Sequence, residues 1–168
     1  TPREPPAPAT EAATKGARAA MNDRTLTDWT LAYETYDPDT EPLREALTTL
    51  GNGLFATRGA APECSAGGPH YPGTYIAGAF NRLESEIAGR IVANESLVNW
   101  PNWLLLSFRI GDGEWFTPDR AQILDYRQEL DVGRGVLQRR MRFRDHDDRE
   151  FTLRSRRLVH MGRGDTAA

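Results

Sequence analysis

The sequence has 168 residues, enough for one domain and too few for two ordinary ones. Its 21 basic and 24 acidic residues give a net charge of -3, which argues against a dedicated nucleic-acid binder. No apolar run approaches the ~20 residues needed to span a bilayer, and the single cysteine, Cys64, rules out an internal disulfide or a multi-cysteine zinc site.

Thr1 to Ala20 is rich in Pro and Ala and holds no Leu, Ile, Val or aromatic residue. Such a segment cannot offset its ordering entropy by burial, so residues 1–20 are expected to be a disordered tail. A domain is expected over residues 21–161. Trp29, Leu31 and Tyr33 alternate as a strand does, and Asp37-Pro38-Asp39 ends it. Glu41 to Leu50 predicts a helix: Thr40 as cap, Pro42 in the first turn, Leu43, Ala46, Leu47 and Leu50 on one face, Gly51 as stop.

From there the pattern is mostly β. Leu54–Arg58 and Tyr75–Arg82 predict strands, separated by a Gly/Pro/Ala-rich loop at 60–72. Trp103 to Ile110 sets Leu104, Leu106, Phe108 and Ile110 on one face and turns back at Gly111-Asp112-Gly113 toward Trp115 and Phe116. Ile123–Asp131 is extended. Val136–Arg144 and Glu150–Val159 form a hairpin across Asp145-His146-Asp147-Asp148. Six to eight short strands with one short helix predict a mainly β protein, an antiparallel β-sandwich. Residues 162–168 offer no closing strand. They are expected to be unordered, and the sandwich to be incomplete.

Several constellations invite chemistry. Gly51-Asn52-Gly53 lies after a helix and before a strand, the reverse of a dinucleotide fingerprint, so a turn is expected there. The stretch from Arg134 to Arg163 carries ten arginines and four acids. Leu137, Met141 and Phe143 alternate with Arg140, Arg142 and Arg144, which puts those arginines on a solvated sheet face or on a docking face for an acidic partner. His70, His146 and His160 are too far apart for a helical metal motif, and no metal site is assigned. Glu84, Glu86, Glu95 and Asp125 have no local feature that would raise a carboxyl pKa, so no catalytic pair is assigned. Arg163-Gly164-Asp165 and Asn94-Glu95-Ser96 match short adhesion and glycosylation patterns that the lack of an apolar leader in this sequence disfavours. The most distinctive run is Asn99-Trp100-Pro101-Asn102-Trp103. Indole faces stack on sugar rings and amides bond hydroxyls, which makes Asn99, Trp100, Asn102 and Trp103 candidate substrate-binding residues. The competing reading, a Pro-set bend with both indoles plugging the core, carries more weight.

Five motifs in order carry a family likeness: Leu50-Gly51-Asn52-Gly53 with Arg58-Gly59; Tyr71-Pro72-Gly73-Thr74-Tyr75-Ile76-Ala77-Gly78; Leu97 to Trp103; Ile123-Leu124-Asp125-Tyr126-Arg127; and Leu130-Asp131 through Leu137. From Trp29 to Met161 the chain resembles the N-terminal domain of glycoside hydrolase family 65. That family includes maltose, trehalose and kojibiose phosphorylases and some α,α-trehalose hydrolases. The resemblance implies a β-sandwich packed on a following (α/α)6 barrel that holds the glutamate general acid and the phosphate or water site. It also implies an inverting reaction on an α-glucoside disaccharide, with no cofactor and with inorganic phosphate as co-substrate of the phosphorylases. No catalytic residue carries over, because the barrel is not in this sequence. Further expectations are a cytoplasmic location, no nucleic-acid or membrane partner, and homo-oligomerisation of the parent enzyme. Two alternatives are an independent carbohydrate-binding sandwich using Trp100, Trp103 and Trp115, and an Arg-faced interaction module.

Overall fold

The computed structural model describes residues 24–27, 29–163 and 166–167; the Pro/Ala-rich segment 1–20 lies outside them. The elements run β1 (Arg24–Leu26), β2 (Thr30–Tyr33), α1 (Glu41–Leu47), β3 (Leu50–Gly51), β4 (Phe55–Thr57), β5 (Thr74–Ile76), β6 (Phe80–Ile87), β7 (Arg90–Leu97), a 3-10 turn (Pro118–Arg120), β8 (Gln122–Asp131), β9 (Val136–Arg144) and β10 (Glu150–Leu158). All pairings are antiparallel: a five-stranded sheet β1-β2-β8-β9-β10, a three-stranded sheet β3-β4-β5, and the hairpin β6-β7.

The two larger sheets face each other. Leu31 and Tyr33 of β2, Leu130 of β8 and Leu137 of β9 meet Leu50 of β3, Phe55 of β4 and Val159. A second apolar cluster gathers Tyr126, Met141 and Phe143 with Phe108, Ile110, Phe116, Phe151 and Leu153. Its rings stack in series, Phe108 on Phe116 at 4.8 Å and Phe116 on Phe143 at 4.5 Å.

A polar row separates these clusters on the same sheet face. Gln128, Arg139 and Arg157 point inward, and all are buried. Each finds a partner in one loop, residues 58–63, although Arg139 Nε is left without a hydrogen bond. Arg157 donates to the carbonyls of Arg58 (2.9 Å) and Ala60 (2.7 Å), Gln128 Nε2 donates to Gly59 O (3.2 Å), and Arg139 pairs with Glu63. Gly59 in turn donates its N–H to Glu45 O at 2.8 Å. The approach is so close that a Cβ on Gly59 would lie 1.9 Å from Thr48 Oγ1.

Several local expectations are corrected. The helix ends at Leu47, and Leu50 opens β3 instead of closing the helix. Its buried face is Glu41, Arg44 and Glu45, followed by Thr48, while Leu43 (53%) and Leu47 (42%) are exposed. The helix lies against the polar row, so its polar stripe turns inward. Thr40 makes no side-chain cap; its hydroxyl donates to Asp37 O at 3.2 Å. The strand expected over 75–82 is split, because Ala77–Ala79 is a turn with Gly78 at φ 81°. β6 and β7 turn at Ala88 (φ 53°) and Gly89 (φ 78°), a two-residue hairpin whose sequence lacks the usual Asn-Gly signal. Residues 103–110 are not a strand: the Arg109↔Trp115 bridge and the bonds from Phe116 N–H to Phe108 O (2.9 Å) and from Gly113 N–H to Ile110 O (3.1 Å) close its end into a turn, and Leu106 N–H donates to Pro62 O (2.9 Å). The Arg-rich hairpin is as expected on its outer face, where Arg140 pairs with Asp125 and Arg142 with Glu150, but Arg139 and Arg157 lie inside. Beyond Met161 the chain turns back, and Ala167 bridges to Val159 and packs on the first cluster.

Gly59→Ala is expected to destabilise the fold by at least ~2 kcal/mol, since Thr48 cannot yield without moving its own carbonyl, which is 3.0 Å from the same Cβ position. Gly133→Ala, where the nearest neighbours are 3.5 Å away or more, is expected to be near neutral. Denaturant midpoints of the two variants check this.

Candidate functional site

The family-like motifs are turn clamps. Asn52 Oδ1 accepts from the N–H groups of Leu54 and Phe55, both at 3.0 Å, and its amide nitrogen donates to His160 O at 3.1 Å. Gly51-Asn52-Gly53 is thus a strand-to-strand turn. Asn99 works alike: Oδ1 accepts from Thr74 N (3.0 Å) and Nδ2 donates to Pro72 O (3.2 Å). Asn102 Oδ1 accepts from Leu104 N at 3.0 Å, an Asx turn. Trp100 joins Thr74 through a backbone bridge, and its side chain is 44% exposed; Trp103 is 45% exposed. Neither indole is a core plug in this structure. Among the four candidates, both ends of the Asn99 amide are occupied and the two indoles are open.

The exposed carboxylates behave as surface groups. Glu84, Glu86 and Glu95 lie on the β6–β7 hairpin, Glu95 beside Arg82 at 3.4 Å, and Asp125 pairs with Arg140 at 3.2 Å. In the β9–β10 turn Asp145 spends both oxygens on Asp147 and Arg149, so the Asp145-His146-Asp147 group is a folded turn.

Sequence reasoning missed a buried polar centre beneath α1. Glu45 Oε1 lies 2.9 Å from His70 Nδ1, and Glu45 Oε2 accepts the Tyr71 N–H at 2.9 Å. His70 Nε2 meets Tyr36 OH at 3.1 Å and Asp119 Oδ1 at 3.4 Å, and Tyr36 donates to that same Asp119 oxygen. Glu41 Oε1 is buried without a hydrogen bond, 3.8 Å from Arg44 Nη1. The available signal was Glu41, Arg44, Glu45 and Thr48 at i, i+3, i+4 and i+7, a polar stripe at helical spacing. Glu41, Glu45 and His70 offer ligand atoms within 4.8 Å of one another. Arg44 and Arg58, the latter 4.0 Å from Glu45, already supply the compensating charge, so an ion-pair network fits these residues better than a cation site.

Titration follows from this geometry. Burial, only partly opposed by Arg44 and His70, pushes the Glu41 carboxyl up to about 7. For His70, burial would lower the pKa, but hydrogen bonds to Cys64 and Glu45 and the charge of Asp119 outweigh it and raise the imidazole to about 10. Ionising Glu41 in the fold costs stability between its unfolded pKa of 4.5 and about 7. The His70 contribution is complete below its unfolded pKa of 6.5 and is lost as pH rises through about 10. Both act in the same direction, so the melting temperature is expected to fall as pH rises from about 5 to about 10. Glu41→Gln is expected to flatten the lower limb. His70→Gln is expected to flatten the upper limb and to lower the melting temperature at pH near 6. Thermal melts across pH check all three.

These features sit in a recognisable framework. The family description "Glycosyl hydrolase family 65, N-terminal domain" matches residues 31–168. An uncharacterized glycosyl hydrolase of Mycobacterium tuberculosis is 49% identical over 140 residues, 83% of this chain and 11% of the relative. The trehalose 6-phosphate phosphorylase of Lactococcus lactis is 37% identical over 64% of this chain and 14% of its own length. The kojibiose phosphorylase of Caldanaerobacter subterraneus is 34% identical over 78% of this chain and 16% of its own. A solved structure described as "Putative kojibiose phosphorylase from human microbiome" superposes with a TM-score of 0.72 at 20% identity, covering 83% of this chain and 19% of that one, and shares the fold. The chain thus spans less than a fifth of the length of these relatives. A mainly β, antiparallel sandwich matched to that family over residues 31–168 belongs to glycosyl hydrolase family 65, as its N-terminal domain.

Proposed function

We propose that this chain is the front domain of an inverting α-glucoside phosphorylase or hydrolase acting on disaccharides such as maltose, trehalose or kojibiose, and that cleavage is carried out by a helical domain following it. The observation that carries this reading is the placement of the ionisable groups. The only buried carboxylate–histidine centre among the described residues is locked by arginines into the fold, and of the exposed carboxylates Glu95 and Asp125 are paired with surface arginines while Glu84 and Glu86 stand on the solvent-exposed β6–β7 hairpin. An inverting enzyme needs two free carboxyl groups flanking a sugar, or one and a phosphate. Phosphate enters as co-substrate where the parent is a phosphorylase. The exposed Leu43 and Leu47 of α1, with Leu105 and Leu106, supply apolar surface suited to packing on that helical domain. The single buried thiol, Cys64, suits a reducing compartment, and we place the enzyme in the cytoplasm as a homo-oligomer without nucleic-acid or membrane partners. Among the described residues no helix is long and apolar enough to cross a membrane.

The chain alone is expected to release neither glucose nor glucose 1-phosphate from maltose, trehalose or kojibiose, and to bind an apolar dye. Fusion to the following domain is expected to restore one of these activities and suppress dye binding. Turnover by the chain alone that disappears on mutation of one of its carboxylates overturns this reading.

A contribution of the 99–103 loop to substrate binding is favoured by the two open indoles. In the intact enzyme Trp103→Ala is expected to raise KM several-fold with kcat and melting temperature unchanged. Asn99→Ala, which releases Pro72 and Thr74, is expected to act through stability instead. Steady-state kinetics with parallel melts separate the two.

A further inference from the structure

The polar centre opens on a groove that the disaccharide reading does not use. Its walls are the 64–70 loop and the 114–120 segment, and its volume is about 580 Å3. A second cleft of about 410 Å3 adjoins it, and Trp115 lines both. Each volume lies in the range of small-ligand sites.

Four features give this groove a chemistry. Trp115 is 61% exposed, and Arg109, bridged to it along the backbone, holds its guanidinium 5.6 Å from the ring centroid. The indole therefore stands as an oriented apolar plate. Asp119 is anchored and only partly used. Its Oδ1 takes the Tyr36 hydroxyl and faces His70, which Glu45 fixes from behind, while Oδ2 has no partner among the described residues and the side chain is 39% exposed. The opposite wall is a closed turn: Gly67 and His70 exchange both backbone hydrogen bonds at 3.1 Å. Gly67 (φ 125°) and Gly68 (φ 56°) present bare backbone at that turn, between Ala66 and Pro69. Finally, among the lining residues Glu114 and Asp119 offset Arg120 and the protonated His70, so the groove has no charge surplus to hold an anion.

We infer that this groove is a binding site for a neutral saccharide, with the indole of Trp115 stacked on the C–H face of one sugar ring and Asp119 Oδ2 accepting from its hydroxyls. An apolar plate beside a preorganised carboxylate matches a pyranose, which has one face of C–H groups and a rim of O–H donors. The site holds a glycan and has no part in cleaving it, so it stands or falls independently of the disaccharide reading.

The test is calorimetric titration of the chain, its fold verified by circular dichroism, with maltotriose as the neutral probe and glucose 1-phosphate as the anionic one. Maltotriose is expected to bind saturably. Trp115→Ala is expected to weaken it about tenfold or more and Asp119→Asn several-fold, whereas Trp29→Ala, an exposed indole beside Gly133, leaves it unchanged. Absence of saturable maltotriose binding by the folded chain overturns the inference. So does equal binding by the Trp115 and Trp29 variants, or tighter binding of glucose 1-phosphate than of maltotriose.

Discussion

The arrangement depends on one constraint: three polar side chains on the inner face of the main sheet must find partners away from water. Gln128, Arg139 and Arg157 have no apolar solution. An unpaired buried guanidinium would cost several kcal/mol. The 58–63 loop meets all three at once, with two backbone carbonyls for Arg157, one for Gln128 and the Glu63 carboxylate for Arg139. That requirement fixes where the loop runs. It brings Gly59 against α1, sets the polar stripe of α1 inward, and carries the following 64–70 turn to the groove.

The same constraint links motif to site. Gly59 bonds to the Glu45 carbonyl, while the Glu45 carboxylate holds His70 and Tyr71. His70 in turn orients Asp119 on the far wall of the groove. A chain of direct contacts therefore runs from the sheet interior to an open surface. The residues that look like a sequence signature, Arg58-Gly59 and Tyr71-Pro72-Gly73, are the places where this path bends.

Strands with strict alternation were legible in the sequence. In β9 and β10 each inward residue is two from the next, in β8 the same holds from Tyr126 onward after a bulge between Ile123 and Asp125, and all three spans differ from the expected ones by a residue at most. Leu31 and Tyr33 of β2 reach the core as the alternation predicts, but Ala32 between them is buried too and Trp29 is exposed. The helix misled because apolar residues were assumed to face inward, a rule that holds only when the surface beneath is apolar; here it is Gln, Arg and His. The β6–β7 hairpin was hidden because all its residues are exposed, so no face was selected for apolar character. At 103–110 the alternation was real, but the chain used Phe108 and Ile110 to cap a cluster without building a ladder. Of the candidate site, the exposed tryptophans and the anchoring asparagines could be named from sequence. The His70–Glu45–Asp119 alignment could not, because its members are 25 residues or more apart and meet only in the fold.

The inverted helix has an evolutionary consequence. A surface helix ordinarily keeps one face where substitutions accumulate freely. In α1 the polar face is committed to buried charge, and the apolar face, if a following domain rests on it, is committed as well. Such a helix has no neutral side. Its short sequence should drift more slowly than the core strands that flank it, where one hydrophobic residue readily replaces another.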